Sequence, residues 1–363
     1  MTVLSKTGLK CVQSSGISVW MNIFLLMGAL FYSSCLLAHN DNGYYHDSGN
    51  LPARADWMSR LDNRMKIRDV TLPGTHDSGS RYGGDIVQTQ SLTIRQQLDA
   101  GVRYLDIRLR HIDDAFTIHH GPVYQKMNFD GVLTQVESFL KDHPSEVVLM
   151  RVKEEHTEKN CHRTFNDTFR DYYQRYGDLI WHPDPKADMS TVNPTLGELR
   201  GRLVFLQNFT SSEYSPYGMA YSGFDIQDDY QVATNWDLYG KWEKVKAQIN
   251  AANAAKGTAH KGYINHLTAS TGSFPYFIAS GHSSHGTGAP RLSTGLTTPG
   301  WKDRYPDFPR VSCFIGICTI AFEGTNTLTK DYLNNNAIRY AGIVIADFPG
   351  SGLVDAIIAC NFR

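Results

Sequence analysis

Short apolar runs alternate with longer amphipathic segments along most of this 363-residue chain, and this alternation is the strongest constraint on its fold. The runs have the length and apolar content of buried β-strands. They cover residues 70–72, 102–109, 116–119, 147–152, 203–207, 263–267 and 343–345. Strands that alternate with helices indicate a parallel sheet, and this many units favour closure into a barrel.

The intervening segments show apolar spacings of three and four, which are typical of helices that pack one face on a sheet. They cover residues 92–100, 132–141, 164–176, 238–255 and 327–340. The runs 102–109 and 116–119 lie too close together to have a helix between them. We therefore predict an α/β fold: a single distorted or incomplete (β/α)8 barrel of the TIM type, following an N-terminal signal segment.

The N-terminus carries an apolar stretch, residues 19–38, behind two lysines. Its core, residues 23–31, has the length of a signal-peptide h-region, and small residues follow it. A membrane anchor is the alternative, since the whole stretch approaches the length of a span. We expect residues 1–38 to be a signal peptide, residues 39–56 a loose polar lead-in and residues 57–363 the barrel. The protein is accordingly expected to be secreted and extracellular.

Two further loops are expected to border the functional site. Residues 280–300 are dense in Gly, Ser, Thr and Pro and are predicted to form one long loop. Residues 214–224 contain several aromatic side chains and form a second candidate rim. Exposed aromatic side chains on such a rim would suit an interface with lipid.

The overall charge argues against nucleic-acid binding, because a net charge of -1 gives no basic field for nucleic acid.

The cysteines suggest disulfide bonds. Four cysteines follow the signal segment, and an even number in an exported chain suggests two disulfides with three possible pairings. Four unpaired thiols are the alternative. The four are Cys161, Cys313, Cys318 and Cys360.

Three strings follow predicted strands and carry the candidate chemistry: GTHDS (residues 74–78), DIR (106–108) and HHGP (119–122). Strand ends are where α/β barrels place their reacting groups. Two histidines, an aspartate and an arginine supply what acid–base cleavage of a phosphodiester needs without a metal. One imidazole takes a proton, the other gives one, and the guanidinium holds the anion. The chain is therefore interpreted as an enzyme.

Closure of the barrel predicts partners for both histidines. Asp347 follows the last predicted strand, which closure would bring beside the first, so Asp347 is expected to orient the ring of His76. Asp77 points away from His76 if the local chain is extended, and is therefore expected to support His120. Arg108 lies on an otherwise buried strand and needs an anionic partner, either Asp106 or a substrate.

These strings resemble the secreted, bacterial-type phosphatidylinositol-specific phospholipase C family over about residues 57–362. The resemblance implies a distorted barrel that works without a metal or other cofactor. It also implies that His76 removes the proton from the inositol 2-hydroxyl, which then attacks the phosphorus internally. Arg108 would hold the phosphate, and His120, supported by Asp77, would protonate the leaving diacylglycerol oxygen while Asp347 steadies His76.

The same resemblance implies that Lys153, Asp228 and Tyr230 contact the lipid head group. The family commonly carries an arginine that contacts the inositol hydroxyls where this chain has Asn208. The choice between free phosphatidylinositol and glycosyl-phosphatidylinositol anchors therefore does not follow from the sequence. The expected products are diacylglycerol and inositol 1,2-cyclic phosphate, and the expected partners are the inositol phospholipid and, transiently, a membrane surface. The enzyme is expected to act as a monomer and to bind no nucleic acid.

Two alternatives remain open at this point. A metal-dependent glycerophosphodiester phosphodiesterase would need clustered carboxylates around a divalent ion. Asp106 and Glu154 or Glu155 could contribute, but Arg108 would repel the cation. A non-catalytic lipid- or glycan-binding barrel is the other alternative, although such a protein need not keep both histidines and the arginine.

Overall fold

The structure is a computed structural model that describes residues 42–210, 217–257 and 261–363. Its main element is a curled sheet built largely of parallel strands. The predicted signal segment, residues 1–38, and the first residues of the lead-in lie outside the described residues. The strands in chain order are β1 (Leu72–Thr75), β2 (Tyr104–Ile112), β3 (Ala115–His120), β4 (Val123–Asn128), β5 (Val148–Glu154), β6 (Leu203–Asn208), β7 (Met219–Ala220), β8 (Asp225–Gln227), β9 (Gln231–Val232), β10 (Tyr263–His266), β11 (Ser270–Thr271), β12 (Ser293–Thr297), β13 (Arg310–Phe314), β14 (Ile317–Ala321) and β15 (Ile343–Ala346).

The eight-strand path of the sheet runs in the order β7-β6-β5-β2-β1-β15-β10-β8, and every neighbouring pair along it is parallel. No pairing joins β7 to β8 within the described residues, so the barrel stays open there. The strands β3 and β4 extend β2 as antiparallel hairpins. The expectation of an incomplete barrel, with no helix between β2 and β3, is therefore confirmed.

Helices cover the outside of this sheet. They are α1 (Ile94–Asp99), α2 (Phe129–Asp142), α3 (Phe165–Arg175), α4 (Leu196–Leu199), α5 (Leu238–Ala254), α6 (Pro275–Ser280), α7 (Thr325–Asn335) and α8 (Ser351–Ala359). In α2 the buried side chains include Val132, Val136 and Phe139, which share one face because their spacing matches the helical repeat. Thr93 caps α1 by accepting a hydrogen bond from the backbone N–H of Gln96.

The lead-in is less loose than its composition suggests. Tyr44 is buried against Phe348, with ring centroids 5.7 Å apart. The backbone N–H of Tyr45 donates to the carbonyl of Phe348 at 2.9 Å, and that of Gly350 donates to the carbonyl of Gly43 at 2.8 Å. These contacts fasten the lead-in to the turn that follows β15, next to Asp347.

Both predicted rim loops differ from expectation. The Gly- and Ser-rich region is not one continuous loop, because it contains β12, which pairs with β14 in a small antiparallel sheet with β13. In the other segment Tyr217, Met219 and Tyr221 are buried and pack into the core. Residues 214–216 of that segment lie outside the described residues. An aromatic run can form core as readily as surface, and the sequence pattern did not distinguish the two.

The cysteines follow neither alternative completely. Cys313 and Cys318 form a disulfide across the turn between β13 and β14, whereas Cys161 and Cys360 are free thiols. Among the described residues no helix is both long and apolar enough to cross a bilayer.

We predict that a buried ion pair at the base of the sheet contributes strongly to stability. Arg103 and Glu146 are both fully buried, 2.7 Å apart, and Arg103 also donates to the carbonyl oxygens of Leu98 and Ala55. In Glu146→Ala the guanidinium would stay buried without its counter-ion. The free energy of unfolding in urea should fall by about 3–5 kcal/mol.

The matched control is Lys141→Ala, which breaks an exposed pair with Glu137 on α2. It should cost no more than about 0.5 kcal/mol. Equal losses in the free energy of unfolding for the two substitutions would contradict a stabilising role for the buried Arg103–Glu146 ion pair.

Candidate active site

A polar cleft of about 340 Å³ opens at the carboxyl ends of the parallel strands. All but one of the predicted site residues contribute to its lining, and the exception, Asp77, lies buried just beneath it. The ionisable side chains that line it are His76, Arg108, His120, Arg151, Lys153, Asp228, Tyr230 and Asp347.

His76 and Asp347 meet because the first and last barrel strands are neighbours. Thr75 at the end of β1 pairs with Ala346 at the end of β15, so the next residue of each strand emerges at the same level. The Nδ1 atom of His76 lies 2.9 Å from a carboxylate oxygen of Asp347. The pairing of β1 with β15 thus brings these two side chains together, as the sequence predicts, although the barrel itself stays open between β7 and β8.

Arg108 determines which ring nitrogen of His76 carries the proton. Its Nη2 lies 2.8 Å from Nε2 of His76, and a guanidinium only donates, so Nε2 accepts. The proton of the neutral ring is then on Nδ1, which donates to Asp347. Burial and the charge of Arg108 hold the pKa of His76 well below its usual value. Burial, together with the charge of Asp77, raises the pKa of Asp347.

Carboxylates surround the guanidinium of Arg108. Its nitrogens lie 3.2 Å from Asp77, 3.4 Å from Asp106 and 3.8 Å from Glu155. Burial opposes the charge, but these three acids outweigh it and raise the pKa of Arg108 above its usual value. The guanidinium is therefore a fixed positive charge at the floor of the cleft. Glu155, which sequence reasoning considered only as a metal ligand, instead faces this cation.

Asp77 lies between Arg108 and His120. Its backbone is left-handed, with φ of 43°, a conformation that Asp tolerates better than most residues. Asp106 accepts a hydrogen bond from the Asp77 N–H at 3.3 Å, which holds this turn against β2. The side chain accordingly turns away from His76, and its Oδ2 lies 3.4 Å from Nδ1 of His120. Burial raises the pKa of Asp77 to about 6, against the charges of Arg108 and His120.

His120 has a defined tautomer as well. Its Nδ1 lies 2.7 Å from the carbonyl oxygen of Val87, which can only accept, so Nδ1 carries a proton. Nε2 is then the nitrogen left for a substrate. The rings of His76 and His120 have centroids 6.4 Å apart and lie nearly perpendicular. A tetrahedral group bound at Arg108 would have one imidazole on each side.

The three predicted head-group residues line the same cleft as the two histidines. The Lys153 ammonium lies 3.5 Å from Glu155, and a carboxylate oxygen of Asp228 lies 3.9 Å from Nδ1 of His266. Tyr230 is 53% exposed and lines the cleft, so a ligand can reach its side chain. These three residues therefore add one cation, one anion and one aromatic ring to the lining of the cleft.

Arg151 is a cleft residue that sequence reasoning did not select. It pairs in register with Asp106 across β5 and β2, as Lys153 pairs with Arg108, so both basic side chains follow the face that carries the acids. Two of its nitrogens donate to Oδ1 of Asn208 at 2.8 and 2.7 Å. The asparagine that departs from the family pattern therefore holds a second arginine in the cleft.

His266 was also missed. It ends β10, is fully buried, and has its ring centroid 6.2 Å from that of His76. Burial lowers its pKa to about 4, so it faces His76 as a neutral ring. Its Nε2 is 2.9 Å from the hydroxyl of Tyr221. Its place next to the last residue of the predicted strand 263–267 was the available signal.

Together these groups provide an anion site flanked by two proton-transferring rings. Arg108 supplies donors to phosphate oxygens, since guanidinium groups recognise such oxygens in a bidentate manner. Nε2 of His76 can accept a proton once Arg108 donates its hydrogen bonds to a bound phosphate instead of to this nitrogen. His120 offers the opposite ring, backed by a carboxylate. This arrangement can move one proton off and one proton onto a phosphodiester.

Comparisons with known proteins agree with this chemistry. Residues 83–208 match the family described as phosphatidylinositol-specific phospholipase C, X domain. The 1-phosphatidylinositol phosphodiesterase of Listeria monocytogenes is 31% identical over 65% of this chain and 75% of that protein. The protein of the same name from Staphylococcus aureus is 28% identical over 76% of this chain and 86% of its own length.

Solved structures show the same fold. The phosphatidylinositol-specific phospholipase C from Listeria monocytogenes superposes with a TM-score of 0.60, covering 85% of this chain and 99% of the other at 23% identity. A Staphylococcus aureus phosphatidylinositol-specific phospholipase C gives a TM-score of 0.60 at 21% identity. The sequence identity to the Listeria enzyme over most of its length decides the relationship: this chain belongs to the phosphatidylinositol-specific phospholipase C family.

Proposed function

We propose that this protein cleaves phosphatidylinositol by attack of the inositol 2-hydroxyl on the phosphorus, releasing diacylglycerol and inositol 1,2-cyclic phosphate. The observation that carries the proposal is the hydrogen bond between Arg108 and Nε2 of His76, with His120 across the same cleft. One guanidinium and two imidazoles thus line a single cleft, which supports a role for them in acid–base cleavage.

In the first step the phosphate accepts hydrogen bonds from Arg108, and these replace the hydrogen bond from Arg108 to Nε2 of His76. The freed Nε2 takes the proton of the 2-hydroxyl, and the new oxygen–phosphorus bond forms within the same molecule. The attacking group is part of the substrate, so the protein has only to align it. Alignment of this kind can supply ~7–11 kcal/mol of the barrier. Asp347, hydrogen bonded to Nδ1, stabilises the resulting imidazolium.

In the second step the bond from phosphorus to the glycerol oxygen breaks. The protonated ring of His120 gives its Nε2 proton to that oxygen, and diacylglycerol leaves as a neutral alcohol. Asp77 supports the imidazolium from the Nδ1 side, where the distance is 3.4 Å. Each imidazole therefore has its own carboxylate.

The proposed reaction uses Arg108 in the position where a metal enzyme would hold a divalent cation. The guanidinium lies among Asp77, Asp106 and Glu155, and it already balances the charge of these carboxylates. A divalent ion at the same place would have to displace a buried cation. This arrangement favours the metal-independent reaction over that of a glycerophosphodiester phosphodiesterase.

The cleft also supplies side chains that can contact the inositol ring. Lys153 and Asp228 can bind hydroxyl groups, and the exposed side chain of Tyr230 can cover the ring. We propose that Arg151, held by Asn208, takes over the contacts that the family arginine makes elsewhere. The guanidinium also lies 4.1 Å over the ring of Tyr221, which fixes its plane.

An apolar groove of about 970 Å³ continues from the cleft on the far side of His120. It shares Ile86, His120 and Ser270 with the polar cleft, and Trp236 and Phe274 extend its apolar wall. The leaving glycerol oxygen would lie where the two spaces meet, next to the proposed acid. This polarity change along the site suits a lipid with a sugar head group.

Secretion and a monomeric state are part of the proposal. The apolar stretch at residues 19–38 supports export, and a disulfide between Cys313 and Cys318 is compatible with an oxidising compartment. The proposed monomeric enzyme holds both imidazoles, both of their carboxylates and Arg108 within a single chain.

The roles of the two histidines can be separated by the leaving group. His76→Ala and His120→Ala should each lower kcat on phosphatidylinositol by about 10²–10⁴-fold, the usual contribution of a general base or acid. An inositol phosphodiester with a nitrophenol leaving group needs no proton on departure. This substrate should restore most of the activity of His120→Ala and little of that of His76→Ala.

His119→Asn is the matched control, because His119 is buried beside the site and its Nδ1 lies 3.1 Å from Thr117 Oγ1, outside the cleft. Its kcat should stay within a few-fold of wild type. Equal rescue of both alanine variants by the nitrophenyl substrate would contradict the assignment of acid and base.

The contact between Asn208 and Arg151 should affect affinity. Asn208→Leu removes the acceptor of two guanidinium hydrogen bonds, and a hydrogen bond to a charged group contributes about 1.5–3 kcal/mol. KM should rise by at least about tenfold with kcat little changed. Asn208→Asp, which keeps an acceptor, is the control. A fall in kcat with unchanged KM would contradict the proposed role.

Transient membrane contact is expected through exposed apolar side chains. Ile86, Trp236 and Phe274 are 73%, 47% and 41% exposed at the mouth of the groove. The turn closed by the disulfide exposes Phe314 and Ile315 as well, at 69% and 84%. Burial of such side chains in a bilayer is favourable by roughly 25 cal/mol per Å².

Trp236→Ser combined with Phe274→Ser should slow cleavage of phosphatidylinositol in vesicles. It should also weaken vesicle binding, measured by sedimentation of the bound protein. Cleavage of a water-soluble inositol phosphodiester should stay near wild type. Phe314→Ser with Ile315→Ser tests the turn in the same way. Unchanged vesicle binding in both double variants would contradict the proposed contact.

A further inference from the structure

Three potential metal ligands lie close together outside the cleft, near the carboxyl end of β2. The Nδ1 or Nε2 atom of His111, a carboxylate oxygen of Asp114 and the Sγ of Cys161 all lie within 4.8 Å of one another. They come from a strand, from the turn between β2 and β3, and from the loop that follows β5. None of them is used in the proposed phosphodiester reaction.

The imidazole of His111 is oriented as a ligand would be. The residue is 1% exposed, and its Nδ1 has no hydrogen-bond partner among the described residues. Its other nitrogen, Nε2, lies 2.9 Å from the hydroxyl of Thr168. A buried ring nitrogen without a partner is costly. Metal-binding histidines commonly hold their second nitrogen in a hydrogen bond of this kind.

Backbone hydrogen bonds hold the positions of the other two potential ligands, Asp114 and Cys161. Asp114 has φ of 57°, and its Oδ1 accepts hydrogen bonds from the N–H groups of His162 and Arg163 at 2.8 and 3.0 Å. Its second oxygen is thereby left for a ligand. The loop that carries Cys161 is bound to β2, because Lys159 donates to the carbonyl of His111 at 3.0 Å and accepts from the Asp113 N–H at 3.0 Å.

Glu158 provides a fourth group. A carboxylate oxygen of Glu158 lies 3.7 Å from Nδ1 of His111, and its side chain is 60% exposed, so it can move toward a shared ion. The set then contains one imidazole, one thiolate and two carboxylates. Zinc binds all three kinds of group with four-coordinate tetrahedral geometry, whereas calcium and magnesium prefer oxygen ligands alone.

We propose that His111, Asp114, Cys161 and Glu158 form a structural zinc site that fastens the loop after β5 to the end of β2. The thiol of Cys161 passes its proton to solvent as the zinc–sulfur bond forms. No electron is transferred. The loop also carries Glu155, which faces Arg108 at 3.8 Å and accepts from the Gly121 N–H at 2.9 Å, so the ion would steady one side of the cleft without entering it.

Zinc binding is measured on the full protein after chelator treatment and removal of the chelator, with zinc chloride as the only ligand. Wild type should bind one equivalent by calorimetry and by metal analysis after dialysis, and its melting temperature should rise. Cobalt as the probe should give the charge-transfer absorption of a cobalt–thiolate bond. Bound zinc should also protect Cys161 from alkylation.

Cys161→Ser and Asp114→Asn should weaken zinc binding by at least about tenfold, and Cys161→Ser should abolish the cobalt–thiolate band. Thr168→Val, which removes the partner of His111 Nε2, should weaken binding by ~10–100-fold, as loss of such partners does elsewhere. His162→Gln beside the site and Cys360→Ser at the other free thiol are matched controls and should bind as wild type does.

Cys161 and Asp114 are not fully buried, so their variants should fold, which far-ultraviolet circular dichroism checks. The site would be disproved if wild type bound no stoichiometric zinc, or if Cys161→Ser and Asp114→Asn bound it as tightly as wild type. The catalytic proposal is tested separately, because His76→Ala should bind zinc normally.

Discussion

The buried guanidinium of Arg108 is the charge around which the other ionisable groups of the cleft are arranged. A buried cation requires compensation, and Asp77, Asp106 and Glu155 provide it from three different segments. The same charge sets the tautomer of His76, and burial together with this charge depresses the pKa of His76. In the proposed reaction, a phosphate that takes over the hydrogen bonds of Arg108 therefore frees Nε2 of His76 in the same event. Anion binding and activation of the base become coupled through a single side chain.

Parallel pairing of the first and last strands supplies the second half of this arrangement. The register of β1 with β15 brings His76 to Asp347, and the register of β1 with β2 brings the turn at Asp77 to Asp106. Two adjacent residues, His76 and Asp77, thus serve opposite sides of the phosphate site. The left-handed backbone at Asp77 is what turns its side chain toward His120.

Sequence reasoning located the groups whose positions follow from strand order. His76 and Asp347 could be placed together because a barrel-like sheet pairs the first of its strands with the last, as β1 and β15 do here. Arg151 could not be placed, because its facing depends on the register of β5 against β2, which the local pattern does not contain. His266 was missed because a buried histidine at a strand end has the same sequence signature whether it faces the cleft or the core.

The region between β10 and β15 shows a different limit. Its Gly, Ser, Thr and Pro content indicates turns, yet β12 lies within the part predicted to be a loop, since the pairing with β14 comes from residues more than twenty positions away. The burial of Tyr221 was likewise decided by distant partners, Arg151 and His266. The cluster around His111 was also hidden, because Cys161 reaches it only through the backbone pairing of Lys159 with β2.

The proposed reaction depends on phosphoryl transfer within the substrate, with Arg108 as the cation. The most direct test is phosphorus NMR of the products from phosphatidylinositol in the presence of excess chelator, well below the melting temperature. Inositol 1,2-cyclic phosphate should form first, at the rate measured without chelator. Loss of turnover that calcium restores, or direct release of the open-chain inositol phosphate with no cyclic ester, would contradict it.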